Sequence, residues 1–308
     1  MKDEIVRSPL FYVGDKYKLM REIRSHFPQQ VGRLIEPFVG GGSVFMNANA
    51  PVCLANDIDH YVIKLHNWLC GYKDSSEILM NELTEMINHY KLSFSLIRED
   101  VPEDLRKAYP KTYFAKFNKT AYVALRQDFN NSGKTDFCRL YLLLIYGFNR
   151  MLRFNGKGDF NLPVGNVDFN QNTKDAIENY LSVVGQRRVS FSCLDFRSFL
   201  RGIDFLNDDL VYLDPPYLIT FSEYNKLWNE ETERDLLNLL DELNDRGVCF
   251  AISNVTHYKG RVNSIFSKWM ERYIVYPIKS NYISFNDNTI KKFNEVLVTN
   301  YYYGKPEL

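Results

Sequence analysis

Long apolar runs and paired cysteines are both missing from this chain of 308 residues. No run reaches the roughly 18 residues of a membrane-spanning helix, and the first residues lack the apolar stretch of a signal peptide. We therefore expect a cytoplasmic protein with no membrane partner. The five cysteines stand singly, with no Cys-x-x-Cys pair, which predicts reduced thiols. The five histidines show no ligand spacing, so we expect no metal site.

Net charge is missing as well, because 38 Lys and Arg residues balance 38 Asp and Glu residues. The distribution is uneven, however: residues 105–165 carry eleven basic side chains against the three acids Asp128, Asp136 and Asp159. A basic segment on an otherwise acidic body is typical of a protein that binds nucleic-acid phosphates. Solvated helix faces are the alternative explanation for the same charges.

The most informative run that is present is Leu213-Asp214-Pro215-Pro216-Tyr217. Apolar residues before it predict a buried parallel strand, and the two prolines end that strand. Asp214 then lies at the carboxyl end of the strand, where open α/β sheets bind ligands. Asp214 and the Pro215 carbonyl are acceptors for the two N–H groups of an amine on a heteroaromatic ring, and Tyr217 is placed to stack on that ring. Because a carboxylate is a weak base near neutral pH, we assign Asp214 positioning and electrostatic work. A capping role at an ordinary strand end is the alternative.

A glycine loop follows an early strand. Residues 33–36 predict that strand, Gly40 and Gly42 form the loop, and apolar residues then resume as a helix whose N-terminus attracts an anion. Phe45 stands where dinucleotide-binding loops carry their third glycine, which disfavours a nicotinamide cofactor. Asp57 ends the next strand, about twenty residues further on, where an acid binds ribose hydroxyls. These features predict a nucleoside ligand with a carboxylate and without phosphates, and S-adenosylmethionine is the candidate.

The remaining patterns predict an insert that interrupts the sheet. An amphipathic helix around 79–90 is followed by helical stretches at about 103–130 and 135–148. Glycines between alternating polar and apolar residues predict a β-hairpin at 149–165. Its Arg, Asn and Lys side chains are of the types that contact DNA, and a plain surface hairpin is the alternative. Strands resume at 189–193, 210–213, 248–253, 273–278 and 295–302. Between the last two strands, residues 279–293 predict a polar loop that is mobile or touches the substrate.

In their order and spacing, these motifs resemble a class alpha adenine-specific DNA methyltransferase of the Dam type. The shared elements are Tyr12-Val13-Gly14-Asp15-Lys16, the loop Glu36-Pro37-Phe38-Val39-Gly40-Gly41-Gly42-Ser43-Val44-Phe45, Asp57 and the Asp-Pro-Pro-Tyr run. The resemblance implies that Asp214, Pro215, Pro216 and Tyr217 receive an adenine flipped out of the duplex. It also implies that S-adenosylmethionine is bound by Tyr12, Lys16, Pro37, Phe38, Gly40, Gly42, Asp57, Ile58, Asp195, Phe196 and Asp214.

Two runs in the insert extend the resemblance. Arg126-Gln127-Asp128-Phe129-Asn130 and Arg153-Phe154-Asn155 are similar to the Arg-x-x-Phe-Asn and Arg-Tyr-Asn elements of Dam. By that match Phe148 and Asn149 wedge beside the target and Arg153 reads a guanine. The DNA-binding residues implied are Arg126, Asn130, Phe148, Asn149, Arg150, Arg153, Asn155 and Lys157. The run Gly156-Lys157-Gly158 stands where Dam has Leu-Arg-Gly, so the target sequence does not carry over.

The predicted fold is α/β, a three-layer S-adenosylmethionine-dependent methyltransferase fold with a mixed, mostly parallel sheet and a helical target-recognition insert ending in a β-hairpin. Residues 1–60 and 185–308 are the predicted catalytic domain, and residues 61–184 are the insert. The predicted reaction is direct methyl transfer to the N6 amine of adenine in double-stranded DNA, with a cognate restriction endonuclease as a candidate partner that forms no stable complex. The alternatives are an amino-methyltransferase acting on cytosine N4, RNA or a protein amide, and a catalytically silent DNA-binding homologue.

Overall fold

The structure is a computed structural model, and it describes residues 4–220, 228–278 and 294–302, with the backbone alone of Asn294. The polar loop predicted at 279–293 lies outside the described residues. None of the helices in the described ranges combines the length and apolar character needed to cross a bilayer.

The chain divides into two compact units. The first comprises Met1–Asp15, Gly40–Met46 and Asp59–Gln186, and the second comprises Lys16–Val39, Asn47–Ile58 and Arg187–Leu308. The assignment of one part of the chain to catalysis and of residues 61–184 to target recognition stays a prediction.

A mixed sheet is the centre of the second unit. Its strands are β1 (Arg33–Glu36), β2 (Val52–Asn56), β3 (Arg188–Ser192), β4 (Asp209–Leu213), β5 (Cys249–Tyr258), β6 (Arg261–Val262), β7 (Ile274–Ile278) and β8 (Asn294–Thr299). Over the described residues the strand order is β3-β2-β1-β4-β5-β8-β7, with β6 paired to β5. The first five strands of that order are parallel neighbours, whereas β8 runs antiparallel to both β5 and β7. The predicted mixed, mostly parallel sheet is confirmed.

Both faces of the sheet are covered, which is why β4 is buried at every residue. Val211 and Leu213 point into an apolar cluster that includes Leu236, Leu240 and other helical residues. On the opposite face the Tyr212 ring packs against Phe27, with ring centroids 5.7 Å apart. The helices of this unit are α1 (Met20–Ser25), α9 (Phe196–Arg201), α10 (Glu230–Asp245) and α11 (Ser264–Met270), with a 3₁₀ helix at Tyr17–Leu19. The sequence patterns predicted neither α11 nor β6.

The first unit is largely helical in its described residues. Its helices are α2 (Ser43–Asn47, whose last residue belongs to the second unit), α3 (His60–Cys70), α4 (Ser76–Tyr90), α5 (Glu103–Ala108), α6 (Tyr113–Asn131), α7 (Phe137–Tyr146) and α8 (Gln171–Gln186), with a 3₁₀ helix at Phe148–Arg150. The single helix predicted at 103–130 is wrong, because α5 ends before Pro110. A proline disfavours helical geometry in the residue before it, and Tyr109 accordingly has φ −133°. Helix α8 was not predicted.

The hairpin predicted at 149–165 is only partly formed. Isolated antiparallel bridges pair Gly147 with Val164 and Phe154 with Phe160, in place of a continuous two-stranded ladder. Pro163 has no N–H to donate to such a ladder. This segment is therefore a hairpin-shaped loop, and its side chains depend on the helices of the insert for support.

Candidate active site

Asp214 directly follows β4 and is paired with a lysine from the other end of the sequence. The Nζ of Lys16 donates to the Oδ2 of Asp214 at 2.6 Å, across a separation of 198 residues. The Lys16 side chain is 4% exposed and that of Asp214 is 20% exposed. Burial by itself lowers the pKa of Lys16, but the charge of Asp214, followed by the effects of Tyr217 and Glu295, outweighs it and raises that pKa well above its ordinary value. Lys16 therefore stays charged at neutral pH.

Tyr217 joins Asp214 to a second carboxylate. Its hydroxyl lies 3.0 Å from Asp214 Oδ1 and 3.1 Å from Glu295 Oε1. Glu295 belongs to β8, its side chain is 1% exposed, and its Oε1 lies 3.6 Å from Lys16 Nζ. Burial raises the pKa of Glu295, Lys16 opposes that effect, and Asp214 adds to it. Burial, followed by the charge of Asp214, also raises the pKa of Tyr217 well above its ordinary value, so the phenol keeps its hydrogen at neutral pH.

Glu295 was not among the predicted site residues. It belongs to no local motif, and the only signal in the sequence is an acid placed beside the apolar run Val296-Leu297-Val298. The strand order brings it to the site, because β8 lies two strands from β4 across β5.

The turn after Asp214 is rigid. Pro215 is buried and Pro216 is half-buried, and both have a fixed φ and no N–H group. The chain therefore leaves β4 at once and holds the Tyr217 ring beside Asp214. The role of the Pro215 carbonyl as an acceptor stays a prediction.

Asn56 joins the carboxyl ends of three neighbouring strands. Its Nδ2 donates to the carbonyl of Pro37 at 3.1 Å and to that of Leu194 at 2.9 Å, and its Oδ1 accepts from the Leu194 N–H at 2.9 Å. The side chain is fully buried. The sequence predicted Asn56 only as the end of a strand, although a polar amide closing an apolar run was the available signal.

An apolar surface lies beside Asp57 at this edge. Ile58, which follows Asp57 after β2, is 61% exposed, and Leu194, which follows β3, is 47% exposed. Asp57 is half-buried, and its N–H donates to the carbonyl of Ser192 at 3.3 Å. Apolar side chains exposed beside a carboxylate suit a ligand that joins a planar ring to a sugar with free hydroxyl groups.

Three aromatic rings pack together next to this edge. The Phe38 centroid lies 5.4 Å from that of Phe196 and 5.7 Å from that of Trp228, and Phe196 and Trp228 are 5.8 Å apart. The Nε1 of Trp228 donates to buried Glu233 at 2.5 Å, which fixes the indole. The structure thus brings two predicted residues together with Trp228, which was not predicted.

Asp195 is engaged at the start of α9. Its Oδ1 accepts from the Arg197 N–H at 2.9 Å, and its Oδ2 accepts from the Arg197 guanidinium at 3.0 Å. The side chain remains 40% exposed. Asp195 is therefore a helix cap that still presents carboxylate surface to solvent.

The glycine loop belongs to the first unit, as does Tyr12. Gly40 and Gly42 both adopt positive φ, at +47° and +80°. A Cβ on Gly42 would lie 2.3 Å from the Phe45 ring, and a Cβ on Gly40 would meet the Tyr12 ring at 3.4 Å. Ser8 Oγ donates to the carbonyl of Gly41 and ties the loop to the N-terminal segment. The positive φ at both positions, and at Gly42 also the close ring, explain why the loop requires these glycines.

A buried histidine holds the same loop. His66 Nε2 lies 2.8 Å from the carbonyl of Gly40, and its Nδ1 lies 2.9 Å from the hydroxyl of Tyr180. Since only an N–H can pair with a carbonyl, Nε2 carries the hydrogen and Nδ1 accepts from Tyr180. Burial lowers the pKa of His66 to about 4, and the bond to Gly40 opposes that effect. His66 is neutral at physiological pH, and sequence analysis had given it no role.

Three of the predicted DNA-binding residues support the hairpin-shaped loop from within. Arg126 donates to the carbonyl of Leu162 at 3.1 Å. The Nδ2 of Asn130 donates to the carbonyl of Phe160 at 3.0 Å, and its Oδ1 accepts from the Phe160 N–H at 2.8 Å. The Nε and Nη2 of Arg153 donate to the side chain and carbonyl of Asn161, at 2.9 and 2.8 Å. These three side chains fix the shape of the loop, whatever else they contact.

Of the other predicted DNA-binding residues, four are exposed and Arg150 is half-buried. Phe148 is 52% exposed, and Asn149 and Arg150 after it both adopt positive φ, at 53° and 51°. The Arg150 guanidinium lies 3.8 Å from the centroid of the Phe11 ring, and burial, followed by the charge of Arg7, lowers the pKa of Arg150 to about 10. Asn155 and Lys157 are exposed at the tip of the loop.

The model of the D12 class N6 adenine-specific DNA methyltransferase family matches residues 12–284 of the chain. The chain is 33% identical to the type II methyltransferase M.FokI of Planomicrobium okeanokoites over 96% of its own length, and 31% identical to the modification methylase StsI of Streptococcus sanguinis over 96%. It spans 43% of the length of each of these two relatives. It is also 27% identical to the DNA adenine methylase of Escherichia coli K12, with 94% of each chain covered.

Proposed function

The chain belongs to the D12 class N6 adenine-specific DNA methyltransferase family, and from this premise we propose that it transfers a methyl group from S-adenosylmethionine to the N6 amine of adenine in double-stranded DNA. Its fold is the α/β methyltransferase fold. The observation that carries the proposal is the cluster of Asp214, Tyr217 and Lys16 at the carboxyl end of β4. There a buried lysine and the Tyr217 hydroxyl orient one carboxylate beside the Tyr217 ring. This arrangement suits a ligand with a planar ring and an exocyclic amine.

Asp214 and Pro215 supply the acceptors that the amine requires. An amine on a heteroaromatic ring is a poor nucleophile because its lone pair is delocalised, and an acceptor on each N–H draws the nitrogen toward tetrahedral geometry. A hydrogen bond to a charged group contributes about 1.5–3 kcal/mol, and more where water is excluded. Lys16 keeps a positive charge against Oδ2 of Asp214, so the carboxylate is held in one orientation. The Tyr217 ring is the proposed stacking surface for the adenine, a contact worth about 1–3 kcal/mol.

The second unit has residues that fit S-adenosylmethionine. When bound, this compound supplies a methyl group on a positively charged sulfur. Asp57 offers a carboxylate to ribose hydroxyls, and Ile58 offers the exposed apolar surface beside it. The proposed binding residues of this unit are Lys16, Pro37, Phe38, Asp57, Ile58, Asp195, Phe196 and Asp214. The assignment of Tyr12, Gly40 and Gly42 stays a prediction from the sequence.

The first unit carries the proposed contacts to DNA. Phe148, Asn149, Asn155 and Lys157 are exposed, which supports direct contact with the duplex. Arg126, Asn130 and Arg153 use donors inside the unit, so we propose that they act first by holding the loop in shape. Arg150, stacked on Phe11, sits at the strained turn that presents Phe148.

The names of two relatives favour a restriction-modification role. M.FokI is a type II methyltransferase and StsI is a modification methylase. We propose that this chain protects one sequence from a cognate restriction endonuclease. Sequencing DNA from cells that express the chain should show N6-methyladenine confined to one motif, whereas methylation scattered without a motif would contradict this role.

The main test is product analysis with purified protein, S-adenosylmethionine and duplex DNA. Nucleoside mass spectrometry should detect N6-methyladenine with the wild type and none with Asp214→Ala, while calorimetry shows that Asp214→Ala still binds S-adenosylmethionine, more weakly, through the other proposed binding residues. Asp209→Asn is the matched control, because Asp209 is a buried carboxylate at the other end of β4, paired with Arg33 at 2.6 Å. N4-methylcytosine as the product, or undiminished turnover by Asp214→Ala, would overturn the proposal.

A further inference from the structure

The Tyr217 hydroxyl faces two carboxylate oxygens but has one hydrogen. Asp214 Oδ1 lies at 3.0 Å and Glu295 Oε1 at 3.1 Å, so both are at hydrogen-bond distance. If both acids were ionised, one of these contacts would set an oxygen lone pair against a negative oxygen with no hydrogen between them. One added proton removes the conflict, since each contact then contains one hydrogen.

Glu295 is better placed than Asp214 to carry that proton. Asp214 has the Lys16 ammonium at 2.6 Å, whereas the distance from Lys16 to Glu295 is 3.6 Å. The Glu295 side chain is 1% exposed against 20% for Asp214. A negative charge is therefore more favourable on Asp214, beside the ammonium group, than on the more deeply buried Glu295. Burial raises the pKa of Glu295, in agreement with this order.

The environment of the second oxygen of Glu295 also favours a neutral side chain. Among the described residues, Oε2 is buried and has no hydrogen-bond partner. A charged oxygen in that position loses its hydration without compensation, while the carbonyl oxygen of a neutral acid loses less. The neutral form of Glu295 is thus the one that this environment favours.

In the part of the sheet that the structure describes, the strands beside Glu295 supply no further charge opposite it. In the described sheet, Val255 of β5 and Ile278 of β7 lie opposite Glu295 in register. The titratable groups that act on Glu295 are Lys16, Asp214 and Tyr217. Tyr212 of β4 belongs to the same buried cluster, and its pKa is raised by burial and then by Asp214.

We propose that Glu295 is a positioning residue of the amine site: as a neutral acid it donates a hydrogen bond to the Tyr217 oxygen, and Tyr217 directs its own hydrogen to Asp214. This inference rests on the proposed methyl transfer. Asp214 is then the single negative charge of the cluster, and its remaining lone pairs accept the target amine. When Glu295 loses its proton, a second negative charge arises beside Asp214 and the phenol hydrogen is divided between two acceptors.

Comparison of Glu295→Gln with Glu295→Ala tests this assignment. Gln is permanently neutral, and its N–H can donate to Tyr217 as the acid does, whereas Ala removes the donor. We expect Glu295→Gln to keep a kcat about tenfold above that of Glu295→Ala, as for the loss of one hydrogen bond. We also expect wild-type kcat to decline on the alkaline side as Glu295 ionises, and this decline to be absent in Glu295→Gln. Asp209→Asn should lose stability but keep the wild-type pH profile.

The outcomes separate this inference from the proposed function. If the wild-type protein does not methylate DNA, the proposed function is wrong. If the wild type is active but Glu295→Gln shows the same alkaline decline in kcat, the role of Glu295 is wrong. If Glu295→Ala does not fold, the pH profile of Glu295→Gln decides by itself. Infrared difference spectroscopy tests the proton without any turnover: the wild type should show the C=O band of a neutral carboxyl group that Glu295→Gln lacks. Absence of that band overturns the inference.

Discussion

Acidification should destabilise the first unit through His66. The neutral ring donates from Nε2 to the carbonyl of Gly40 and accepts at Nδ1 from Tyr180. Protonation places a hydrogen on Nδ1, opposite the hydroxyl hydrogen of Tyr180, and it adds a charge that no water solvates in this buried site. The folded state therefore resists a proton that the unfolded chain accepts.

The size of the effect follows from the pKa of His66. It is about 4 in the folded protein and 6.5 for an ordinary histidine. Because the folded value is the lower one, this stability is fully present above about pH 6.5 and declines as pH falls toward 4. The full difference between the two pKa values corresponds to about 3 kcal/mol of unfolding free energy, and about 2 kcal/mol of that stability is already lost at pH 5.

Chemical denaturation of the wild type and His66→Gln between pH 7.5 and pH 5 measures this loss. Gln can still donate to Gly40 but does not titrate, so the wild type should lose about 2 kcal/mol more than His66→Gln over this interval. His60→Gln is the matched control, since His60 lies on the same helix and is exposed. Equal pH dependence in the wild type and His66→Gln would show that the ring is not neutral and buried as described.

Two further substitutions test the edges around the site. Asn56→Ala should cost about 2–4 kcal/mol of unfolding free energy, because it leaves backbone groups of Pro37 and Leu194, at the ends of two neighbouring strands, without partners, and an unchanged denaturation midpoint would refute that account. Gly42→Ala should cost more than Gly14→Ala in thermal unfolding. Both glycines have positive φ, but only a Cβ at Gly42 meets a neighbour, the ring of Phe45, whereas Gly14 has open space. Gly14→Ala therefore measures backbone strain alone, about 1 kcal/mol, and equal losses would contradict the role of the ring.

Local patterns in the sequence were sufficient to place the principal motif. An apolar run followed by two prolines put Asp214 at the end of a strand, and β4 does end at Leu213. Apolar runs predicted each described strand except β6, and the resemblance to the methyltransferase family predicted the mixed, mostly parallel sheet. The same local reasoning missed the helix break before Pro110, although the signal was present, because the helical period continued on both sides.

Local sequence patterns could not predict the contacts that complete the site. Asn56 ended a strand in the sequence, but only the parallel pairing of β1, β2 and β3 shows that one amide joins three strand ends. Three of the predicted DNA-binding residues, Arg126, Asn130 and Arg153, were assigned by motif, and the structure adds that their donors are used inside the insert.

The sequence by itself determined where Asp214 and Tyr217 lie, directly after the end of β4, because strand ends and turns depend on neighbours in the chain. The tertiary structure alone decided what surrounds them. Lys16 lies 198 residues before Asp214, and Glu295 reaches the pair because β8 inserts antiparallel between β5 and β7. Burial and charge act through space, so the protonation of this cluster depends on strand order rather than on any motif.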